Sequence, residues 1–467
     1  MTRKCFNRLA IFLAAIVLVG APSRPAAAQA AAAQGAASQD QSKTTYTLPE
    51  YNAFQAANSE KDPQARLKLL DDFVAKYPNS TLMPYVYTLY YQTYSQLKNY
   101  PKTIEYADKL VALGDKVDAQ ARLQAIQARV AVFTLTYSTI PKPDLPAQLT
   151  KERDAALEGA SLLDQLPKPA AVTGTDDDWK KQKMPGLAFF YAAAGFADLQ
   201  LKDSASAIQA FKNALANKPD DNVSAYRLGL AYLNSSPPQY LDGFWALARA
   251  IDLKVPDADK IKDYLQKQIL AYEQPGCDSQ ANDQANELLQ LAQNSPERPA
   301  TWTLPSQADL KTIQQASNIL SLIADLGAGG DKAKMTWLAI CGAEFPEVVG
   351  KIIDVKPGDA FIDFMVYTGA SADDMQAATT ANMDVKVWTA APPAGSAAAG
   401  AAGTTPVPPQ PDVARLQKDD PIRFSGTLVS YDPSPLMLHW DQVKVDPTII
   451  PEKGNAGKHK PVPKKSQ

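Results

Sequence analysis

The stretch SAIQAFKNALANKPDDNVSAYRLGLAY, residues 206–232, sets small, large and small side chains at helical spacing, then a proline, then a Leu-Gly pair. Ala207, Phe211 and Ala214 share one face of a helix, because residues three and four apart stand nearly above one another. Pro219 follows, and a proline cannot continue the hydrogen-bond ladder of a helix. Leu228, Gly229 and Tyr232 then open a second helix. The pattern recurs. Residues 188–221 carry Tyr191, Ala194 and Gly195 ahead of Ala207, Phe211 and Ala214. Residues 222–256 carry Leu228, Gly229 and Tyr232 ahead of Gly243, Leu247 and Ala250, with Pro256 near the end and two extra residues taken up at NSSPPQY. Gly195 and Gly229 are 34 residues apart, so the repeating unit is a pair of helices. One such hairpin cannot bury its apolar face alone; only a stack of them makes a continuous core.

A third copy, 84–115, places Tyr87, Tyr90, Tyr91 and Tyr94 on a first helix and Tyr100, Thr103, Ala107 and Leu110 on a second. Two weaker pairs span 49–78, ending in DPQARLKLLDDFVAKYP, and 116–167, joined by YSTIPKPDLPAQ. On these residues the chain resembles tetratricopeptide repeat proteins, and AKYPNS at 75–80 is similar to the junctions of such proteins in bacterial envelopes. The resemblance implies that Gly195, Gly229, Ala207 and Ala214 are small so that the two helices of a unit can approach. It implies that Phe211 and Leu247 fill the gap against the neighbouring unit. Asp198, where the family usually has tyrosine, and Thr103, where it has a small alanine, depart from the pattern.

The fold class expected is therefore mainly α, an α-solenoid of helical hairpins over 48–256, followed by a small antiparallel β-barrel. ADKIKDYLQKQILAYEQ reads as a solvated capping helix, and helices continue through a connector at 257–341, the last stopping at Gly327. From Phe345 the hydrophobic period falls to two. VVGKIIDVKPGDAFIDFMVY gives two strands about a Pro357-Gly358-Asp359 turn, MDVKVWTA a third, and PIRFSGTLVSYDPSPLMLHWDQVKV a fourth and fifth. This barrel, 342–446, is similar to OB-like domains of bacterial envelope proteins, chiefly in DDPIRFSGTLVSYDP. Its one helix candidate, SADDMQAATTAN, falls between strands two and three, whereas the OB pattern puts a helix before strand four. The Ala/Gly/Pro-rich stretch 390–411 is expected to be a disordered insertion, as are the start 31–47 and the basic tail 447–467.

The first residues have a basic head, MTRKCFNR, an apolar body of 13 residues, LAIFLAAIVLVGA, and the small-residue ending Ala28-Gln29-Ala30. A membrane span needs about 20 apolar residues. Residues 1–30 thus read as a secretory signal peptide cleaved after Ala30, with an uncleaved anchor as the rival reading. A periplasmic or secreted protein is expected, with no transmembrane segment after cleavage. The chain carries 47 Lys and Arg against 50 Asp and Glu; four of the cations lie in the signal, which leaves 43 against 50 and a net charge of −7. That balance has no basic footprint for nucleic acid. Cys277 and Cys341 remain after cleavage, either bridged in the oxidising compartment or as two buried thiols.

No catalytic constellation is legible, so the chain is expected not to be an enzyme and to need no cofactor and no metal. Of two histidines, His459 lies in the tail, and alternation puts His439 on the face opposite Leu438 and Trp440, as a hydrogen-bonded strand residue rather than a general base. LGAGGDKAK fails as a phosphate loop, because Asp331 follows Gly330. Asp176, Asp177 and Asp178 read as acids favoured at a helix start. What remains is a surface. The family's groove positions carry over to Tyr85, Thr88, Gln92, Ser95 and Gln96 in the first copy, Phe189, Phe196, Leu199 and Gln200 in the second, and Tyr226 and Asn234 in the third. This groove is neutral, and the resemblance implies a non-enzymatic scaffold that binds a peptide or protein segment of an envelope partner. The alternative gives the work to the barrel, as a binder of oligosaccharide or nucleic acid through Phe364, Trp388, Phe424 and Trp440.

Overall fold

The structure, a computed structural model, describes residues 46–170, 172–275, 277, 279–391 and 407–452. Residues 1–30, read as a signal peptide, nearly all of 31–47, most of 390–411 and the residues beyond 452 lie outside the described residues. The chain divides into two compact units, residues 46–262 with 288–299, and residues 263–287 with 300–452.

The first unit holds five successive helical hairpins: α1 (Leu48–Ser59) with α2 (Pro63–Lys76), α3 (Met83–Gln96) with α4 (Tyr100–Val111), α5 (Ala119–Thr136) with α6 (Leu145–Gln165), α7 (Asp176–Leu201) with α8 (Ser204–Asn217), and α9 (Asn222–Leu233) with α10 (Tyr240–Asp252). Helix starts follow local chemistry. Asp62, Asn99, Asp118, Asp203 and Asp221 each accept a backbone N–H of the first turn they precede. Thr175 and Asp178 cap α7 reciprocally, and Asp176 to Asp178 occupy its first turn, as expected. Helix α7 begins 12 residues before the 188–221 copy, and the extra turns bury Trp179 and Lys183.

The close approach expected at the glycines is present. A Cβ on Gly195 would stand 2.9 Å from the Phe211 ring, and one on Gly229 would stand 2.8 Å from Leu247 and 3.1 Å from the Gly243 carbonyl oxygen. Phe211 and Leu247 therefore lie first over the glycine of their own hairpin; Phe211 also packs with Leu228 and Ala231 of the next. Phe211 thus fills the gap against the neighbouring unit as expected and lies over its own hairpin's glycine as well. Thr103 is fully buried without cost to its hydroxyl, which donates to the Asn99 carbonyl 3.0 Å away. Residues 288–299 close the last hairpin, with Arg249 donating to the Ala292 carbonyl (2.8 Å) and Arg298 pairing with Asp242 (2.7 Å).

Helices α11 (Ala258–Glu273) and α12 (Ser279–Asn294) each run across the boundary between the units. The second unit then adds α13 (Gln307–Ala316), α14 (Ile319–Ala328) and α15 (Gly330–Ile340). What reads in sequence as one helix ending at Gly327 is two: Asn318 breaks it by capping α14, and the stop is Gly329, at φ +69°. The barrel follows as β1 (Glu344–Pro357), β2 (Phe361–Tyr367), β3 (Met383–Trp388), β4 (Pro421–Pro433) and β5 (Leu436–Val445). It closes in the order β1-β2-β3-β5-β4. All pairs are antiparallel except β3 with β5, which is parallel and was not visible in the alternation. The five strands thus make a small closed barrel, with no unpaired sheet edge between β1 and β4. The short helix α16 (Ala372–Ala377) does lie between β2 and β3, while the place before β4 is taken by the 3-10 turn Pro411–Arg415, which helps bury Val413 and Leu416 in the barrel core. Residues 407–411, read as insertion, join the barrel through Val407 and Gln410, and Ile449 and Ile450, in a segment read as tail, pack against its core. Long β1 pairs with β4 and then β2, and Gly350 sits at the change, where a Cβ would meet Val366 at 2.4 Å. Helices α13 to α15 pack Leu310, Leu322, Leu326 and Leu338 into the same core as the strands. Cys277 and Cys341 are bridged within this unit.

Candidate functional site

In the first unit α3 touches α5, α5 touches α7 and α7 touches α9, so the first helices of the hairpins form a layer of their own. The expected groove residues all lie on helices of this layer or at its end. Tyr85 is exposed to 56%, with its ring 6.1 Å from that of Phe54 on α1. Gln92, Gln96 and Asn234 are exposed; Thr88, Ser95, Phe189, Leu199, Gln200 and Tyr226 are half-buried. Thr88 turns its hydroxyl to the Pro84 carbonyl of its own helix (2.9 Å). Phe189 packs edge-on to Phe190, and Leu199 against the Phe211 cluster. Phe196 departs from the expectation: it is 6% exposed and serves as a floor rather than a contact surface.

Two residues that the sequence reading passed over cover that floor. Tyr137 meets Phe196 edge-to-face at 5.3 Å and donates its hydroxyl to Gln200 Oε1 at 2.8 Å. From α9, the Arg227 guanidinium lies 4.8 Å from the Phe196 ring centroid, in cation–π range. Burial pushes Arg227 down from the usual arginine range to about 10, with Asp221 acting the other way. A sequence signal existed: Arg227 is the only charged side chain in α9, NVSAYRLGLAYL.

Nearer the start, Tyr90, Tyr94 and Tyr106 stack, with Tyr90 and Tyr106 centroids 4.1 Å apart. Tyr90 donates to Asp71 at 2.6 Å; burial and that carboxylate raise the phenol far above its ordinary range. A cleft of about 520 Å³ opens there, walled by Gln64, Lys68, Asp71, Tyr94 and Asn99. Between α5 and α6 the buried Arg129 pairs with the buried Glu152 and reaches Asp108 at 2.8 Å. Desolvation raises Glu152 and the guanidinium pulls it back.

In the barrel, Phe364, Phe424 and Trp440 are buried in the core, so they offer no stacking platform. Trp388 is half-buried, donating its indole N–H to Asp441 at 3.0 Å and meeting Phe361 edge-on. His439 points outward, as expected, with Nδ1 3.2 Å from Asp384 and Nε2 3.0 Å from Asp432. Among the described residues no group of His, Cys, Asp and Glu is arranged to hold a metal ion, and no helix is long and apolar enough to cross a membrane.

No family description and no curated protein matches the sequence. Among solved structures, a thermophilic tetratricopeptide repeat protein of Thermus thermophilus is similar at 16% identity, covering 47% of this chain and 99% of its own, with a TM-score of 0.26. The C-terminal part of a tetratricopeptide repeat-containing protein of Cytophaga hutchinsonii is similar at 17% identity over 53% of this chain and 95% of its own, with a TM-score of 0.22. The helical-hairpin assignment rests on the geometry above.

Proposed function

We propose that this chain is an exported, non-enzymatic interaction scaffold. Its stacked hairpins hold a peptide or protein segment of an envelope partner along the layer of first helices, and the barrel offers a second contact. The observation that carries this reading is the placement of Tyr85, Gln92 and Gln96 on one face of α3 and of Asn234 at the end of α9: polar or aromatic, uncharged and exposed, in the layer of first helices. Uncharged amides and a tyrosine ring suit hydrogen bonding and stacking with a peptide chain. The export of the chain is supported by the basic head, short apolar body and Ala28-Gln29-Ala30 ending of residues 1–30.

The test is co-purification with the full chain from the cells that make it. A partner retained by the native chain and lost with Tyr85→Asp plus Gln92→Asp, at unchanged helical content, bears the proposal out. Retention that ignores these substitutions counts against it.

A further inference from the structure

We infer that the layer of first helices carries a dedicated socket for an acidic side chain of the bound segment, built from Arg227, Gln200 and the Phe196–Tyr137 pair. The inference rests on the scaffold reading above and names the chemistry of one anchor.

Arg227 sits on α9 with its guanidinium against the Phe196 ring. Among the described residues it makes no hydrogen bond and no ion pair. Asp221, the carboxylate whose field reaches it, is already committed to capping α9, accepting from the backbone of Val223 and Ser224 and from the Ser224 hydroxyl at 2.7 Å. A guanidinium has five N–H donors in a planar fork, and stacking on a ring leaves its edges free. Arg227 is half-buried, so part of that fork reaches solvent, where an anion can approach it and form charge-assisted hydrogen bonds. The fully buried Arg129, by contrast, has two carboxylates of its own.

The neighbours add donors, not acceptors. Phe196 and Gln200 stand one turn apart on α7, hence on one face. Tyr137 occupies Gln200 Oε1, which fixes the amide so that its N–H pair faces away, and no acceptor among the described residues takes those hydrogens. A guanidinium fork on the Phe196 ring and an amide N–H pair one turn along the same helix from that ring match the oxygens of a carboxylate. A cationic or purely apolar anchor would leave these donors unpaired.

The experiment is selection of random 12-residue peptides displayed on phage against the immobilised full chain, followed by fluorescence anisotropy of the enriched peptides with native chain, Arg227→Gln and Arg227→Lys. The expected result is enrichment of sequences with Asp or Glu at one fixed position, and at least tenfold weaker binding to Arg227→Gln, the size of a lost charge-assisted hydrogen bond. Arg227→Lys keeps the charge but not the fork, and an intermediate loss is expected. Replacing the fixed acid by Gln should weaken native binding and leave Arg227→Gln binding unmoved. Peptides that lack an acid, bind the two chains equally and depend on Tyr85 or Gln92 would overturn the socket and leave the scaffold standing. If no peptide is enriched, both readings fall.

Discussion

Substituting alanine for the glycines at the hairpin crossings separates two opposed effects whose signs are known. In an exposed helix, Gly→Ala stabilises by about 1 kcal/mol, because glycine has more backbone freedom to lose. At Gly195 the new methyl would stand 2.9 Å from two carbons of the Phe211 ring, inside the 3.4–4 Å of ordinary contact, and Phe211 is fully buried with no free direction. Overpacking of this kind costs about 1–3 kcal/mol. The net expected for Gly195→Ala is a loss of up to about 2 kcal/mol. Gly229→Ala should lose more, because one of its neighbours is the Gly243 carbonyl oxygen at 3.1 Å, which is backbone and cannot rotate aside. Urea unfolding followed by circular dichroism at 222 nm reads both changes as lower midpoints at constant slope. The double variant Gly195→Ala with Phe211→Leu makes room for the methyl and should lose less than the two single losses added together. If Gly195→Ala raised the midpoint, helix propensity alone would be acting and the packing argument would be refuted.

Asp198 is 2% exposed with its Oδ1 unpaired, and burial, opposed by Arg153, raises its carboxyl from 3.8 to about 6. The folded state then binds more protons than the unfolded one between those values, so stability falls as pH rises from about 4 to 6 and levels above. Asp198→Asn should recover roughly 1–3 kcal/mol at pH 7.5 and nothing at pH 3.5, read as the difference between urea midpoints. Arg129→Met strands the buried Glu152 and should cost about 3–5 kcal/mol, whereas Arg129→Met with Glu152→Leu should recover most of it; equal losses in the two would contradict a buried ion pair. Cys277→Ser with Cys341→Ser opens a 64-residue separation and should lower the stability of the barrel-bearing unit by about 2–4 kcal/mol, measured against the native chain with and without reductant.

What the sequence shows of this protein is what periodicity can encode. Gly195, Phe211, Gly229 and Leu247 announce helix crossings because contacts inside a hairpin are local in sequence, and the strand alternation of FIDFMVY places Phe364 inward for the same reason. Long-range features leave weaker traces. The parallel pairing of β3 with β5 joins residues about 55 positions apart, such as Met383 and Leu438, and no local pattern specifies it. Val413 and Leu416 are core residues hidden at the edge of a low-complexity stretch. Phe196 occupies a groove position by register yet is buried, because Tyr137, from an irregular connection, and Arg227, from the next hairpin, both fold over it. Tertiary neighbours of this sort decide which groove positions reach solvent.

Photo-crosslinking in the cells that make the protein tests the scaffold most directly. A photoreactive residue placed at Tyr85, Gln92 or Asn234 should yield an adduct of the same partner from each site, and one placed at the exposed Lys212 of α8 should yield none. Adducts that form equally at Lys212, or at none of the first-helix positions, would contradict the account.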